Sequence, residues 1–335
     1  MRILLVCNYR AGVGGISGQV ELLQQHLREE GHAADIYSTK GSVWKRLGMP
    51  GRLRKTAKGY DLVHVHCCSS WGFLPAVLGI GAAKRDGKRV VLTWHGGGAG
   101  RFFGKHTMLV RHWLRRTDIN IVLSGFTGSI FDLYGIPYTV IPNIIEIDDR
   151  HYHERKGINP RFICTRAHVE LYNIPCILRA FQKVQASLPE ASLTLVGDGS
   201  QHEALVRQAE EMQLRNVTFT GRVPNEEIYT HLDGADVLLS APRVDNMPVS
   251  LLEAMAAGLL IISSNVGGVP YMVEDGRTGL LFADDNSDQL AEQMLYAVSH
   301  PQRSLTIIKQ AYGSLAAYRW ENIKDKLYTA YGLHA

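Results

Sequence analysis

Short apolar runs alternate with longer amphipathic stretches from the first residue onward. Arg2-Ile3-Leu4-Leu5-Val6-Cys7 predicts a buried strand, followed by a glycine loop at Gly12-Val13-Gly14-Gly15. A helix then sets Val20, Leu23 and Leu27 on one face and stops near Gly31. Asp61-Leu62-Val63-His64-Val65-His66, Arg89-Val90-Val91-Leu92-Thr93-Trp94 and Ile119-Asn120-Ile121-Val122-Leu123 predict further strands, each with a helical segment after it. The rhythm pauses from Ile145 to Pro160, a polar and charged stretch, and then restarts. Phe162-Ile163-Cys164-Thr165 precedes a helix with Ile177, Leu178, Phe181, Val184 and Leu188 in register. Strands at Leu193–Val196, Val217–Phe219, Val237–Leu239 and Leu259–Ile262 follow in the same manner.

Such alternation predicts an α/β protein with mostly parallel sheets covered on both faces, and two blocks of it predict two doubly wound domains. The first is expected over residues 1–150 and the second over 151–315, with a terminal helix in 316–335. Ligands of such sheets bind beyond the carboxyl ends of the strands, so a cleft shared by the domains is the expected site.

Composition narrows this picture by exclusion. Charged residues make up 20% and the hydrophobic set 45%, which leaves no room for a disordered or fibrous chain. The five cysteines are odd in number, lack CxxC spacing and include the neighbours Cys67 and Cys68. That argues for a reducing cytoplasm and against a disulfide framework or structural zinc. The apolar run Ile3–Cys7 is too short for a secretory signal, and the uncharged stretch Val65–Ala83 is interrupted by His66, Ser69, Ser70 and Pro75, as expected of a core helix with its loop. Net charge is +4 but unevenly spread: residues 1–150 hold 20 Lys/Arg against 11 Asp/Glu, and residues 151–335 hold 16 against 21. A basic half joined to an acidic half implies domains with different partners.

The segment Ala241–Gly258 concentrates the candidate chemistry. Pro248 suits the first turn of a helix, so Asp245 lies in the loop before it and Glu253 inside it. Asp245 could accept hydrogen bonds from ligand hydroxyls, Glu253 could take two hydroxyls of a ribose, and the free N–H groups between them face any anion at the helix end. For two acids alone, a surface aspartate and a solvated glutamate would be the commoner outcome.

The chain resembles the retaining family 4 glycosyltransferases of the GT-B fold, which carry a Glu-x7-Glu motif followed by Ala-Met-Ala and Gly. Here the motif reads Asp245-x7-Glu253, then Ala254-Met255-Ala256-Ala257-Gly258. The resemblance runs along nearly the whole chain, through Gly14-Gly15, Gly31-His32, His64-Val65-His66 and Thr93-Trp94-His95-Gly96. It continues through Ile141-Pro142-Asn143, Val196-Gly197-Asp198-Gly199, Gly221, Gly267-Gly268-Val269-Pro270, Gly276 with Gly279-Leu280-Leu281, and Trp320-Glu321.

The resemblance implies two Rossmann-like domains facing a central cleft, the first for the acceptor and the second for the donor, with the terminal helix packing back on the first. It implies sugar transfer from a nucleotide-sugar donor to a glycan or lipid-linked acceptor, with no metal and no cofactor beyond the donor. Glu253 would bind the donor ribose, Asp245 would stand where the first glutamate meets the donor sugar, and Arg166 would neutralise the leaving diphosphate. His95 would sit near the sugar, while Gly14 and Gly15 would let backbone approach the donor; Gly197, Asn246, Met247 and Pro248 complete the donor-binding set. A fixed guanidinium and a helix dipole suit the negative charge that develops on the diphosphate.

Three positions depart from the family pattern. The first acid is Asp245, one methylene shorter than glutamate. The usual Arg-x5-Lys-Gly becomes Arg166-x5-Tyr172-Asn173, so the second phosphate cation is missing from its usual place. Tyr271 follows Gly267-Gly268-Val269-Pro270 where glutamate is common. A subgroup of the family carries Tyr-Asn and Asn-Met-Pro variants, which fits a working enzyme.

Other features carry less. His64 and His66 flank Val65 on a strand and share a face, as a metal pair would, though polar strand ends at a cleft are commoner. Gly12-x-Gly14-x-x-Ser17 approaches a dinucleotide fingerprint, but Asp35 comes too early for the ribose-binding acid. Alternatives are a sugar-nucleotide epimerase or hydrolase on the same frame, or a non-catalytic nucleotide-sugar-binding protein. Finally, residues 44–58 place six cations among Trp44, Leu47, Met49 and Leu53, as expected of a segment lying on an anionic membrane surface at the inner face of the cell membrane. Pro50 and its neighbouring glycines argue against a continuous helix there, and no feature points to nucleic acid.

Overall fold

The structure, a computed structural model, describes residues 1–12, 15–41, 48–148 and 151–333. The chain divides into two compact units, Met1–Ile144 with Tyr318–Ala335, and Ile145–Ala317. The first division falls at Ile144, ahead of the polar stretch that suggests 150. The reason is local: the Gln19 side chain donates to the Ile144 carbonyl at 2.9 Å and accepts from its N–H at 2.9 Å, tying that residue to the first unit.

In the first unit, strands β1 (Arg2–Cys7), β2 (Ala33–Ser38), β3 (Leu62–Cys67), β4 (Arg89–Trp94), β5 (Ile119–Val122) and β6 (Thr139–Val140) form one sheet in the order β2-β1-β3-β4-β5-β6. Every recorded pairing is parallel. Period-two alternation sends Leu4 and Val6 to one face with Val63, Val65 and Trp94, and Ile3, Leu5 and Cys7 to the other. Helix α1 (Ile16–Glu29) covers that second face with Val20, Leu23 and Leu27.

Helix α2 (Met49–Ala57) forms despite Pro50, because proline in the first turn removes an N–H that has no partner there anyway. Its Met49 and Leu53 are buried, and Arg54 makes a two-pronged contact with Asp86 at 2.9 and 3.1 Å. The apolar residues described in the basic segment therefore belong to the core and have nothing to offer a bilayer. Trp44, Lys45, Arg46 and Leu47, like Gly14, lie outside the described residues. The uncharged stretch after Val65 resolves into the end of β3, a single turn at Ser70–Phe73 and helix α3 (Leu74–Lys84). Among the described residues, no helix is long and apolar enough to cross a membrane. The remaining helices of this part are α4 (Ala99–Lys105), α5 (Thr107–Leu114) and α6 (Gly125–Leu133).

The second unit holds β7 (Arg161–Cys164), β8 (Ser192–Val196), β9 (Val217–Gly221), β10 (Val237–Ser240), β11 (Leu260–Ser264) and β12 (Leu280–Phe282), ordered β12-β11-β10-β7-β8-β9. Helices α7 (Ile174–Ser187), α8 (His202–Glu211), α9 (Ile228–Asp233), α10 (Val249–Ala256), α11 (Ser287–Ser299) and α12 (Pro301–Ser314) connect and cover them. Phe162, Leu193, Val237, Leu260 and Phe181 lie in one apolar core.

The last helix, α13 (Trp320–Tyr331), returns to the first unit. Trp320, Ile323 and Leu327 join the face covered by α1, and Lys324 and Trp320 both bond the Glu30 carboxylate, at 2.9 and 3.2 Å.

Candidate active site

In the second sheet the chain starts at β7, builds outward through β8 and β9, then crosses back to place β10 on the other side of β7. The loops after β7 and β10 therefore diverge at the point where strand order reverses, which is where open α/β sheets bind their ligands. Arg166 lies two residues beyond β7, and Asp245 lies in the loop between β10 and α10. Their meeting is a consequence of topology.

Arg166 is held from three sides. Its Nη2 is paired with the Asp245 carboxylate, its Nη1 donates to Ser250 Oγ at 3.1 Å, and its guanidinium carbon lies 3.8 Å from the Tyr172 ring centroid. The side chain is 10% exposed and that of Asp245 18%. Burial works against the charge on Arg166, but the adjacent Asp245 outweighs it, so the guanidinium stays protonated. Its Nε–H is buried without a hydrogen-bond acceptor, a donor left unused.

The two acids of the motif differ in circumstance. Asp245 is spent on orientation: beyond Arg166, its Oδ1 accepts from the Asn246 N–H at 2.8 Å. Glu253, in the body of α10, is neither paired nor fully solvated. Burial pushes its carboxyl up to about 7, opposed by Arg166. The folded state thus holds this proton more tightly than the unfolded chain. The contribution of this group to stability is fully present below the ordinary value of 4.5 and is lost as pH rises through about 7. In urea unfolding across that range, wild type is expected to lose stability relative to Glu253→Gln. A difference independent of pH would contradict the burial of this carboxyl.

Glycines bring the two loops into register. Gly267 has φ 54°, and a Cβ there would collide with the Asp245 carbonyl oxygen, to which Gly268 N–H donates at 2.9 Å. Gly197 has φ 144°, and its Cβ would collide with the Arg166 carbonyl oxygen. Asn246, Met247 and Pro248 are buried where the β10 loop enters α10, with Pro248 as the residue before the helix.

Motif reading gives Tyr172 only as a departure and Gly267 only as part of a glycine pair, and it does not single out Ser250. Tyr172 stands where the family has lysine; its ring stacks on Arg166, and the next residue, Asn173, takes a left-handed conformation and donates to Asp285 at 3.0 Å. Arg243 runs beside this turn, with its N–H on the Leu171 carbonyl at 2.9 Å. Its guanidinium is committed to Asp284 and Asp285 at 3.8 and 3.2 Å.

The first unit carries a separate polar cluster at the carboxyl end of its sheet. His95 follows β4, and its Nε2 lies 2.9 Å from His66 Nδ1. His64 bonds Tyr331 of α13 through Nδ1 and Thr93 through Nε2, both at 2.8 Å. Burial pushes His64 down to about 3, His95 down to about 4 and His66 well below its ordinary range, so all three rings are neutral at neutral pH. They line a cavity of about 40 Å³ with Gln19, Asn143 and Leu327. Gly15, at φ 68°, immediately precedes α1. Among the described residues, no group of three or more His, Cys, Asp or Glu side chains is placed to hold a metal ion.

Residues 148–314 match the family described as glycosyl transferases group 1, and residues 37–149 match glycosyltransferase family 4. The chain is 25% identical over 271 residues to the GDP-mannose-dependent alpha-(1-6)-phosphatidylinositol monomannoside mannosyltransferase of Mycolicibacterium smegmatis, covering 73% of this chain and 70% of that protein. To its Mycobacterium tuberculosis counterpart it is 28% identical over 182 residues, covering 52% of this chain and 47% of the other. Among solved structures, Anabaena HepE in complex with UDP-glucose superimposes with a TM-score of 0.80 at 17% identity, over 99% of each chain. The likeness extends through both units, and the fold is GT-B. With the two matches together spanning residues 37–314, the chain belongs to the group 1, family 4 glycosyltransferases.

Proposed function

We propose that this glycosyltransferase takes its sugar from a nucleoside diphosphate donor and delivers it, with retention at the anomeric carbon and without a divalent ion, to a glycan or lipid-linked acceptor. The observation that carries the donor assignment is Arg166: a buried guanidinium with an unused N–H, fixed at the switch point beside the start of α10. When the bond between the anomeric carbon and the diphosphate breaks, its electron pair goes to the diphosphate oxygen. A guanidinium oriented in advance meets that charge without reorganising. Asp245 and Ser250 hold Arg166 in place, and Glu253 takes the ribose hydroxyls, best as the carboxylate and hence above about pH 7. The mycobacterial relatives are named for GDP-mannose and a phosphatidylinositol mannoside, and HepE was solved with UDP-glucose. UDP- and GDP-sugars are therefore the donor probes. We further place the protein in the cytoplasm, peripheral to the inner face of the membrane, with no cofactor and no nucleic-acid partner. The second, acidic unit serves the donor and the first, basic unit the acceptor.

Transfer is expected to proceed in EDTA and to give a first product with the anomeric configuration of the donor, followed by the NMR signal of its anomeric proton. An inverted linkage, or activity that returns only with added metal, would overturn this reading.

A further inference from the structure

We propose that helices α4 and α5 form a docking surface for an anionic lipid bilayer. The inference rests on the peripheral-membrane reading and seats it on a segment other than residues 44–58. From Gly87 to Thr117 the chain carries seven Lys/Arg and no Asp or Glu. The two helices bury Ala99, Phe102, Phe103, Val110 and Leu114 against the sheet core. That fixes the outward face, where Arg101, Lys105, Arg111 and Arg115 are exposed. Between them stand Met108, 85% exposed, and Leu109, 43% exposed.

Two aliphatic side chains held in water, with exposed cations before and after them on the same two helices, are poorly matched to a solvated surface. They match a bilayer, whose phosphates take the cations while the acyl boundary takes Met108 and Leu109. A nucleic acid would engage the charges and leave both aliphatic groups in water. Arg115 donates to the Gly135 carbonyl at 3.1 Å, which brings the end of α6 alongside, and Leu133 there is 77% exposed. Of the acids next to this stretch, Asp118 is paired with Lys84 at 2.6 Å and Asp132 accepts from the Tyr138 hydroxyl at 2.9 Å. Helix α2 offers the contrast. It has exposed Arg52 and Lys55, with Lys58 just past its end, but its apolar residues point inward.

The test is co-sedimentation with vesicles of phosphatidylcholine, alone or mixed with phosphatidylglycerol. Wild type is expected to bind only the mixed vesicles, and to be released by salt. Arg101→Gln with Lys105→Gln and Arg111→Gln should weaken partitioning about a hundredfold, and Met108→Ser with Leu109→Ser about tenfold. Arg52→Gln with Lys55→Gln and Lys58→Gln should weaken it less than the α4–α5 charge variant. Thermal stabilisation by UDP or GDP, read on the same variants, should be unchanged. If wild type ignores both vesicle types, the peripheral reading falls together with the surface. If wild type binds but the Met108/Leu109 variant binds equally well, or the α2 variant loses as much as the α4–α5 one, the surface is wrong while peripheral attachment survives.

Discussion

Replacing Arg166 with Ala is expected to lower kcat/KM by about two to three orders of magnitude, the usual cost of removing a preorganised donor from a developing oxyanion. The loss should fall on both kcat and donor binding, because the guanidinium meets charge that exists in the donor and grows in the transition state. The variant should also lose about 3 kcal/mol of stability, since Asp245 is left largely buried without its partner. Adding Asp245→Asn to Arg166→Ala should restore part of that stability and none of the activity. Arg166→Lys should fall between, keeping the charge but losing the planar fork that spans Asp245 and Ser250 and stacks on Tyr172. Kinetics of nucleoside diphosphate release from UDP-glucose and GDP-mannose, with urea unfolding of each variant, check these outcomes. Unchanged kcat/KM in Arg166→Ala would remove the residue from the mechanism.

Gly267→Ala and Gly197→Ala should each cost about 3 kcal/mol. At Gly267 a side chain meets left-handed backbone strain of about 1–2 kcal/mol as well as a collision with the Asp245 carbonyl oxygen. At Gly197 the collision is with the Arg166 carbonyl oxygen. Gly87→Ala separates the two contributions: φ is 65° and nothing lies within contact, so only the backbone strain of about 1 kcal/mol remains. The first two substitutions push on the backbone that carries Asp245 and Arg166, so activity should fall further than stability alone explains. Equal costs at all three glycines would show that the loops are not packed as described.

Most of the strands were legible because each is a short apolar run between polar breaks, a signal that depends on local chain alone. Their order in the sheet was not. Placing β10 next to β7 depends on crossovers through helices, and that crossover is what brings Arg166 and Asp245 together. The spacing from Asp245 to Glu253 set both acids around one helix start, but it could not separate their environments. One is paired and the other is pushed towards neutrality by burial. Tyr172 shows the limit of reading by motif. As a missing lysine it signals loss, whereas in the fold it is a ring stacked on Arg166. The described part of the basic segment was illegible for a related reason. Pro50 suggested a broken chain, yet it sits in the first turn, where a helix tolerates proline, and that helix turns Met49 and Leu53 inward. The histidines of β3 read as a metal pair or polar strand ends. They make hydrogen bonds to Tyr331, Thr93 and His95, residues far away in sequence.

Ligand-induced thermal stabilisation tests donor binding by the second unit most directly. Wild type and Arg166→Ala are unfolded thermally with UDP, GDP, UDP-glucose and GDP-mannose in the presence of EDTA. One nucleotide and its sugar should stabilise wild type, by about 2.7 kcal/mol at a concentration 100 times the dissociation constant, and should leave Arg166→Ala nearly unmoved. Stabilisation of both proteins alike, or of neither by any of the four, would contradict the assignment of this site to a nucleoside diphosphate sugar.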